Sequence, residues 1–227
     1  MGSSYSPLTK SLQLLSKSCE AEASLMATLS IGERDARLLK QREWMFGTRL
    51  ENLAACPVCA ELIEWESDLR ELSLQAPTET NENPINTVQA DNFQIAFRLP
   101  NSNDILSAST HKDPSKVLAS CIIAVTKEER ECNTNDLSNA AMDVLGQYME
   151  ELDPQANLLI LLDCTGCNHN WSVYFDIISY FWHEIDNWAR STLHEIFLLA
   201  QGLSWTEKDI LSLSPQRRRI YLEMLRS

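Results

Sequence analysis

Asp163-Cys164-Thr165-Gly166-Cys167-Asn168-His169-Asn170-Trp171 is a turn built around two cysteines. The apolar run Leu158 to Leu162 enters it as a short strand, and Trp171 to Phe175 leaves it as the return strand of a hairpin. Gly166 suits a left-handed turn inside it. Two thiols three positions apart on one tight turn can both reach a single ion. A second such unit, Cys56-Pro57-Val58-Cys59, stands upstream. Together Cys56, Cys59, Cys164 and Cys167 supply the four sulfurs that a structural Zn2+ takes in a tetrahedron, each at about 2.3 Å. Zinc ribbons usually close within about 15–20 residues, whereas Cys59 and Cys164 lie 105 positions apart. The spacing therefore predicts a whole subdomain inserted between two knuckles. Two thiol turns without an ion, a redox pair and iron–sulfur ligation are the competing readings. A catalytic zinc would need an open position, usually with His or carboxylate ligands, and a thioredoxin-type dithiol would open a helix in a βαβ unit. Neither pattern surrounds these cysteines.

Working outward, Leu8 to about Leu29 carries apolar residues at helical spacing (Leu8, Leu12, Leu15, Cys19, Ala23, Met26). Ser30-Ile31-Gly32-Glu33 fits a capping box that opens a second helix to about Leu53. After the first CxxC, Leu62 to Glu66 alternates like a strand. Gln75 to Asn86 is mostly Pro, Thr, Glu and Asn and reads as a linker or mobile loop. Val88 to Leu99 reads as one strand, and Ser102 to Glu151 as two or three helices, one starting at Asp113-Pro114. Beyond the second knuckle, Asp176 is a plausible cap for a long helix to about Ala200, closed by Gly202 in a left-handed cap. Ser204 or Thr206 opens a short helix, and Ser214-Pro215 opens the last one. The expected fold is α+β: a four-cysteine zinc-ribbon-like core with an inserted helical subdomain and flanking helices. Its segments are 1–55 (N-terminal helices), 56–100 (first knuckle, strands and the loop near 75–86), 101–156 (helical insert), 157–176 (second knuckle hairpin) and 177–227 (C-terminal helices).

Composition narrows the function. The 227 residues hold 32 acidic and 19 basic side chains, a net charge of −13, which repels nucleic-acid phosphates. The triplet Arg217-Arg218-Arg219 is the one basic cluster and reads as a helix end meeting solvent or an acidic partner. No apolar run reaches the roughly 18 residues of a membrane span. The N-terminus shows no secretory pattern, and Gly2 with Ser6 fits a myristoylation motif only loosely. Seven cysteines without such a pattern favour a metal site or buried thiols over disulfides. Cys19, Cys121 and Cys132 read as small buried residues.

Other chemistry is thin. His183-Glu184 and His194-Glu195 share a helix face, but three turns, about 16 Å, separate them, too far for one metal. His169 is a loop residue next to a complete ligand set. There is no phosphate loop, GxSxG or HExxH, and no enzyme is expected. Tyr174, Phe175, Tyr180, Phe181, Trp182, Trp188, Phe197 and Trp205 crowd the C-terminal quarter. A helix apolar on all sides is either buried in a large core or meets another protein.

The C-terminal half resembles a known group through the knuckle quoted above, then Phe175-Asp176-Ile177 and Phe181-Trp182-His183-Glu184-Ile185. Gly202-Leu203-Ser204-Trp205-Thr206-Glu207-Lys208-Asp209-Ile210-Leu211 and Leu213-Ser214-Pro215-Gln216-Arg217-Arg218 continue it. Gly32 to Asp35, Phe46 to Leu50, Phe97-Arg98-Leu99-Pro100 and Asp104-Ile105-Leu106 fit the same group. These segments resemble proteins of contractile phage-tail-like particles, the extracellular contractile injection systems of bacteria, and the C-terminus is similar to phage baseplate-hub and tail-assembly proteins. The resemblance implies a baseplate component or assembly factor, cytoplasmic or within an assembled particle, that contacts other baseplate, hub or spike proteins and no nucleic acid. The contact surface expected for it is Trp182, Trp188, Trp205, Arg217 and Arg218. A zinc-ribbon adaptor of another complex and a thiol-dependent enzyme are the alternatives.

Overall fold

The computed structural model describes residues 6–111, 116–128 and 130–226, so the helix start at Asp113-Pro114 lies outside the described residues. Two compact units divide the chain, residues 1–178 and 179–227. No helix among the described residues is long and apolar enough to cross a membrane.

The first unit opens with α1 (Pro7–Ser18), capped by Ser6. The single helix expected to Leu29 breaks at Glu20, which takes a left-handed φ of 49°, and resumes as the one-turn α2 (Ala23–Met26). The second expected helix, α3 (Ile31–Phe46), stops at Gly47, whose φ of 84° an L side chain resists. Residues to Leu53 belong instead to β1 (Arg49–Ala55), paired antiparallel with β2 (Leu62–Asp68). The short α4 (Leu69–Leu72) follows.

Half of the capping box forms. Ser30 Oγ accepts from the Glu33 N–H at 3.1 Å, but the Glu33 carboxylate does not turn back. It accepts from the Thr78 N–H at 3.0 and 3.1 Å and from Arg37 Nε at 2.6 Å. Arg37 in turn donates to the Thr78 and Thr80 carbonyls, to Asn81 Oδ1 and to Met26 Sδ. Residues 75–84, read as a linker or mobile loop, have no helix or strand of their own. They lie strapped across α3 by these bonds. Asn83 closes the strap, exchanging hydrogen bonds with the Leu99 backbone.

The expected strand over Val88 to Leu99 is a hairpin, β3 (Ile85–Ala90) and β4 (Phe93–Arg98), reversed at Asp91 with φ 52°. Asp and Asn tolerate that conformation better than most residues. The expected helical insert is mixed. Helices α5 (Ser102–His111) and α6 (Lys116–Cys121) lead to β5 (Ile122–Lys127) and β6 (Arg130–Cys132). These strands complete one antiparallel sheet in the order β3-β4-β5-β6. Helix α7 (Asn139–Leu152) sets Ala141, Leu145 and Met149, one per turn, against Ile95, Phe97 and Leu99. Tyr148 meets Phe97 edge-to-face at 6.1 Å. Burying each large side chain here stabilises the unit by about 1.5–3 kcal/mol. Cys121 is buried in this core, as expected, whereas Cys19 is exposed and Cys132 half-buried.

Helix α3 is buried along most of its length, charges included, so each charge must be paired. Arg34 Nε donates to Asp35 at 2.7 Å, and Arg42 donates to the Gly47 and Arg49 carbonyls, both at 2.7 Å, fastening the helix end to β1. After α7, Asp153 returns to α3. Its Oδ2 accepts from the Gly32 N–H at 2.9 Å. A Cβ on Gly32 would stand 2.0 Å from Asp153 Oδ1 and 3.1 Å from the Ala156 nitrogen. The second hairpin, β7 (Leu159–Asp163) and β8 (Asn170–Tyr174), then precedes α8 (Ile177–Leu203). Asp176 caps α8 by accepting from the Ile178 N–H at 3.0 Å.

The second unit holds the rest of α8 with α9 (Glu207–Ser212) and α10 (Pro215–Arg226). Ile196, Leu199, Ile210 and Leu222 form its core. Thr206 caps α9 in a full capping box with Asp209. Gly202 does not supply the left-handed residue; Ser204 does, with φ 57°. Gly202 is glycine because Leu225 packs on it, 2.6 Å from where a Cβ would stand.

Gly32→Ala forces Asp153 off the start of α3. Urea unfolding should show a loss of about 1–3 kcal/mol, and a loss under about 0.5 kcal/mol would count against this clasp. Asp104 is held below its ordinary value of 3.8: burial opposes its ionisation, but Arg98, the Asn101 N–H and Ser120 outweigh it. A depressed folded pKa gives stability that is present above pH 3.8 and lost as pH falls through the lower folded value. Asp104→Asn should therefore flatten the acid limb of the stability–pH curve, and an unchanged limb would refute the assignment.

Candidate metal centre

Both CxxC units sit at the tip of an antiparallel hairpin, β1–β2 for the first and β7–β8 for the second. Their backbones follow the same pattern. Cys56 N–H donates to the Glu61 carbonyl at 2.8 Å, and Cys164 N–H to the His169 carbonyl at 2.9 Å. Ala60 N–H donates to Cys56 O, and Asn168 N–H to Cys164 O, each at 2.9 Å. The residue after each second cysteine is left-handed, Ala60 at φ 60° and Asn168 at φ 56°. The left-handed residue expected at Gly166 is thus Asn168. Gly166 has another reason to lack a side chain: a Cβ there would stand 1.8 Å from Glu61 Oε2 of the opposite knuckle.

The two turns face each other so that all four sulfurs lie within 4.8 Å of one another. The first cysteine of each turn meets the second of the other: Cys56 Sγ is 3.7 Å from Cys167 Sγ, and Cys59 Sγ is 3.4 Å from Cys164 Sγ. A disulfide would hold sulfurs at about 2.05 Å, and all four cysteines are free thiols. Sulfurs at the corners of a tetrahedron with bonds of about 2.3 Å stand about 3.8 Å apart. The observed separations suit one ion at their centre, and the four cysteines could bind a metal ion. Cys56 and Cys164 are buried, while Cys59 and Cys167 lie toward solvent.

The thiols are unequal. Burial resists ionisation of Cys56, but N–H groups of Cys59 and Val58 outweigh it and hold the thiol down at about 7. At Cys167 the His169 N–H favours the thiolate, yet burial and the neighbouring sulfurs push it up to about 12. Successive deprotonation in so small a space accumulates negative charge that only a cation relieves. His169 is not drawn into the ligand set; its ring stacks on Trp171 at 6.0 Å.

The C-terminal residues expected at a partner surface separate into two groups. Trp188 is 54% exposed, Trp182 half-buried and Arg217 exposed. Trp205 instead packs edge-to-face on Tyr221 at 4.9 Å beside the core of the second unit. Arg218 is buried, with Nε 3.4 Å from Glu195 and Nη1 donating to the Leu213 carbonyl at 3.0 Å. Phe197, one of the aromatics noted in the sequence, is exposed on α8, and Leu193, one helical turn before it, is a large exposed apolar residue that the sequence reading did not single out. Their i,i+4 spacing was the available sign. His183 pairs with Asn187 at 2.9 Å.

No curated protein and no solved structure matches this chain. The family model described as T4 bacteriophage base plate protein matches residues 8–182, more than three quarters of the sequence. The match begins in α1, takes in both cysteine turns and ends early in α8. The chain belongs to the T4 bacteriophage base plate protein family.

Proposed function

We propose that this protein is a structural component or assembly factor of the baseplate of a contractile, phage-tail-like injection system, acting through protein–protein contacts, and that its four cysteines hold one structural Zn2+. The observation that carries the reading is the family match over 8–182, which contains all four sulfur donors and the fold they clasp. An all-sulfur set of four fills a tetrahedron and leaves no position for water or substrate, which favours a structural ion over a catalytic one. Soft thiolate donors favour zinc over harder cations. Contacts with hub or spike proteins are supported by the exposed Trp188, Leu193 and Phe197 on a helix with core to spare.

Two measurements test this. Purified protein should hold one zinc per chain, and Co2+ in its place should give the absorption of a tetrahedral thiolate site. Removing such an ion withdraws several kcal/mol of folding energy, so Cys164→Ser should lower Tm by roughly 10 °C or more. An unchanged Tm would refute the staple. For the assembly role, tagged protein recovered from its own cells should co-sediment with sheath, tube or spike proteins, or come down with a soluble hub or spike protein if it acts only in assembly. Recovery with no tail protein would overturn the baseplate reading and leave a zinc-stapled adaptor of another complex.

A further inference from the structure

A groove of about 280 Å³ lies between the end of α1, one face of α3 and the strap. Leu15 and Pro77 form apolar walls, Trp44 stands on the rim 72% exposed, and Gln41 and Glu79 complete it. Gln41 Oε1 is buried with no hydrogen-bond donor. A buried acceptor left unpaired is costly, so a donor in the groove that draws the Gln41 amide toward it is favoured there.

The charges around it decide which donor. Arg37 lines the groove, but its five N–H groups are spent on Glu33, Asn81, Met26 and the Thr78 and Thr80 carbonyls. Lys40 is bound to Glu43 at 2.7 Å. These two cations are cancelled by Glu33 and Glu43, and exposed Glu79 leaves the groove negative. The surroundings have the same sign, since residues 1–178 hold 26 acidic against 13 basic side chains, and residues 179–227 hold six of each. The whole net charge sits on the first unit.

We infer that this groove is a binding site for a guanidinium group, the side chain of an arginine presented by a partner protein. The planar cation stacks on the Trp44 indole, its N–H groups reach the Glu79 carboxylate and, as the Gln41 amide turns toward the groove, Gln41 Oε1, and its methylene stem lies along Leu15 and Pro77. The volume is below that of most small-molecule pockets and suits one side chain. An ammonium group lacks the flat face and the fork of donors, so lysine fits less well. The site is separate from the four-cysteine centre and is read from the groove alone, whatever the assembly.

The test uses the full-length protein labelled with 15N and titrated with N-acetyl-arginine methylamide, with the lysine and glutamate analogues as controls. The Trp44 indole and Gln41 side-chain amide signals, assigned from Trp44→Phe and Gln41→Leu, should shift saturably with the arginine compound. Trp44→Ala and Gln41→Leu should each weaken binding at least fivefold while the melting temperature holds, because Trp44 is on the surface and Gln41 lacks a partner for Oε1. No shift up to the solubility limit would overturn the inference. So would equal shifts from lysine or glutamate, or arginine binding unaffected by both substitutions.

Discussion

Four sulfur atoms from two turns meet across parts of the chain 105 positions apart. The four-stranded sheet and its helices lie between those turns, and Arg42 fastens α3 to the hairpin of the first. An ion bridging them would close a loop of this length and remove about 4–5 kcal/mol of disorder from the unfolded chain in the loop-entropy picture. Most of that cost is already met at about 100 residues, since each further doubling adds only about 0.6 kcal/mol. A sheet and four helices can therefore occupy the loop with little extra burden on such a bridge. Asp153 on Gly32 makes a second clasp, drawing the end of α7 to the start of α3 only a few residues before the chain enters β7.

The two clasps differ in physical character. The sulfur cluster gathers thiols that ionise unequally, so its hold on an ion would depend on proton release. The Asp153 contact is a carboxylate on a helix N-terminus, aided by the partial positive charge of the backbone N–H groups there. Burial nonetheless pushes the Asp153 carboxyl up, with the Gly32 N–H only partly compensating. A raised folded pKa means that the protonated form is favoured by folding, and that this share of stability fades as pH rises through the folded value. The family to which the chain belongs, the base plate proteins, is matched over both clasps and not over the last two helices.

What could be read from the sequence was chemistry whose parts lie close together along it. Two CxxC pairs name a shared ion because both donors of each turn are three residues apart. Ser30, Asp176 and Thr206 declare helix starts because a cap bonds within its own first turn. The failures needed distant partners. Ile122 to Lys127 is a β-branched run, yet it reads as part of a helical insert until β4 is present to pair with it. Glu33 has the spacing of a capping box, but the Thr78 N–H, 45 residues on, takes its carboxylate. Gly166 and Gly202 look like turn-formers, and both are glycine for lack of room beneath Glu61 and Leu225. Arg218, one of three adjacent arginines, is drawn inside by Glu195, which no local pattern announces.

The strap over α3 has one further consequence. It has no ladder of backbone bonds, so its hold on the unit passes largely through Arg37, Glu33 and Asn83. Segments tied at a few shared points open together and not residue by residue. Amide hydrogens along 75–84 should thus exchange with solvent as one group, at a rate set by the rupture of these few shared bonds and well ahead of the core strands. Such local breathing would let this wall of the protein yield while the sheet, the helices and the sulfur clasp stay intact.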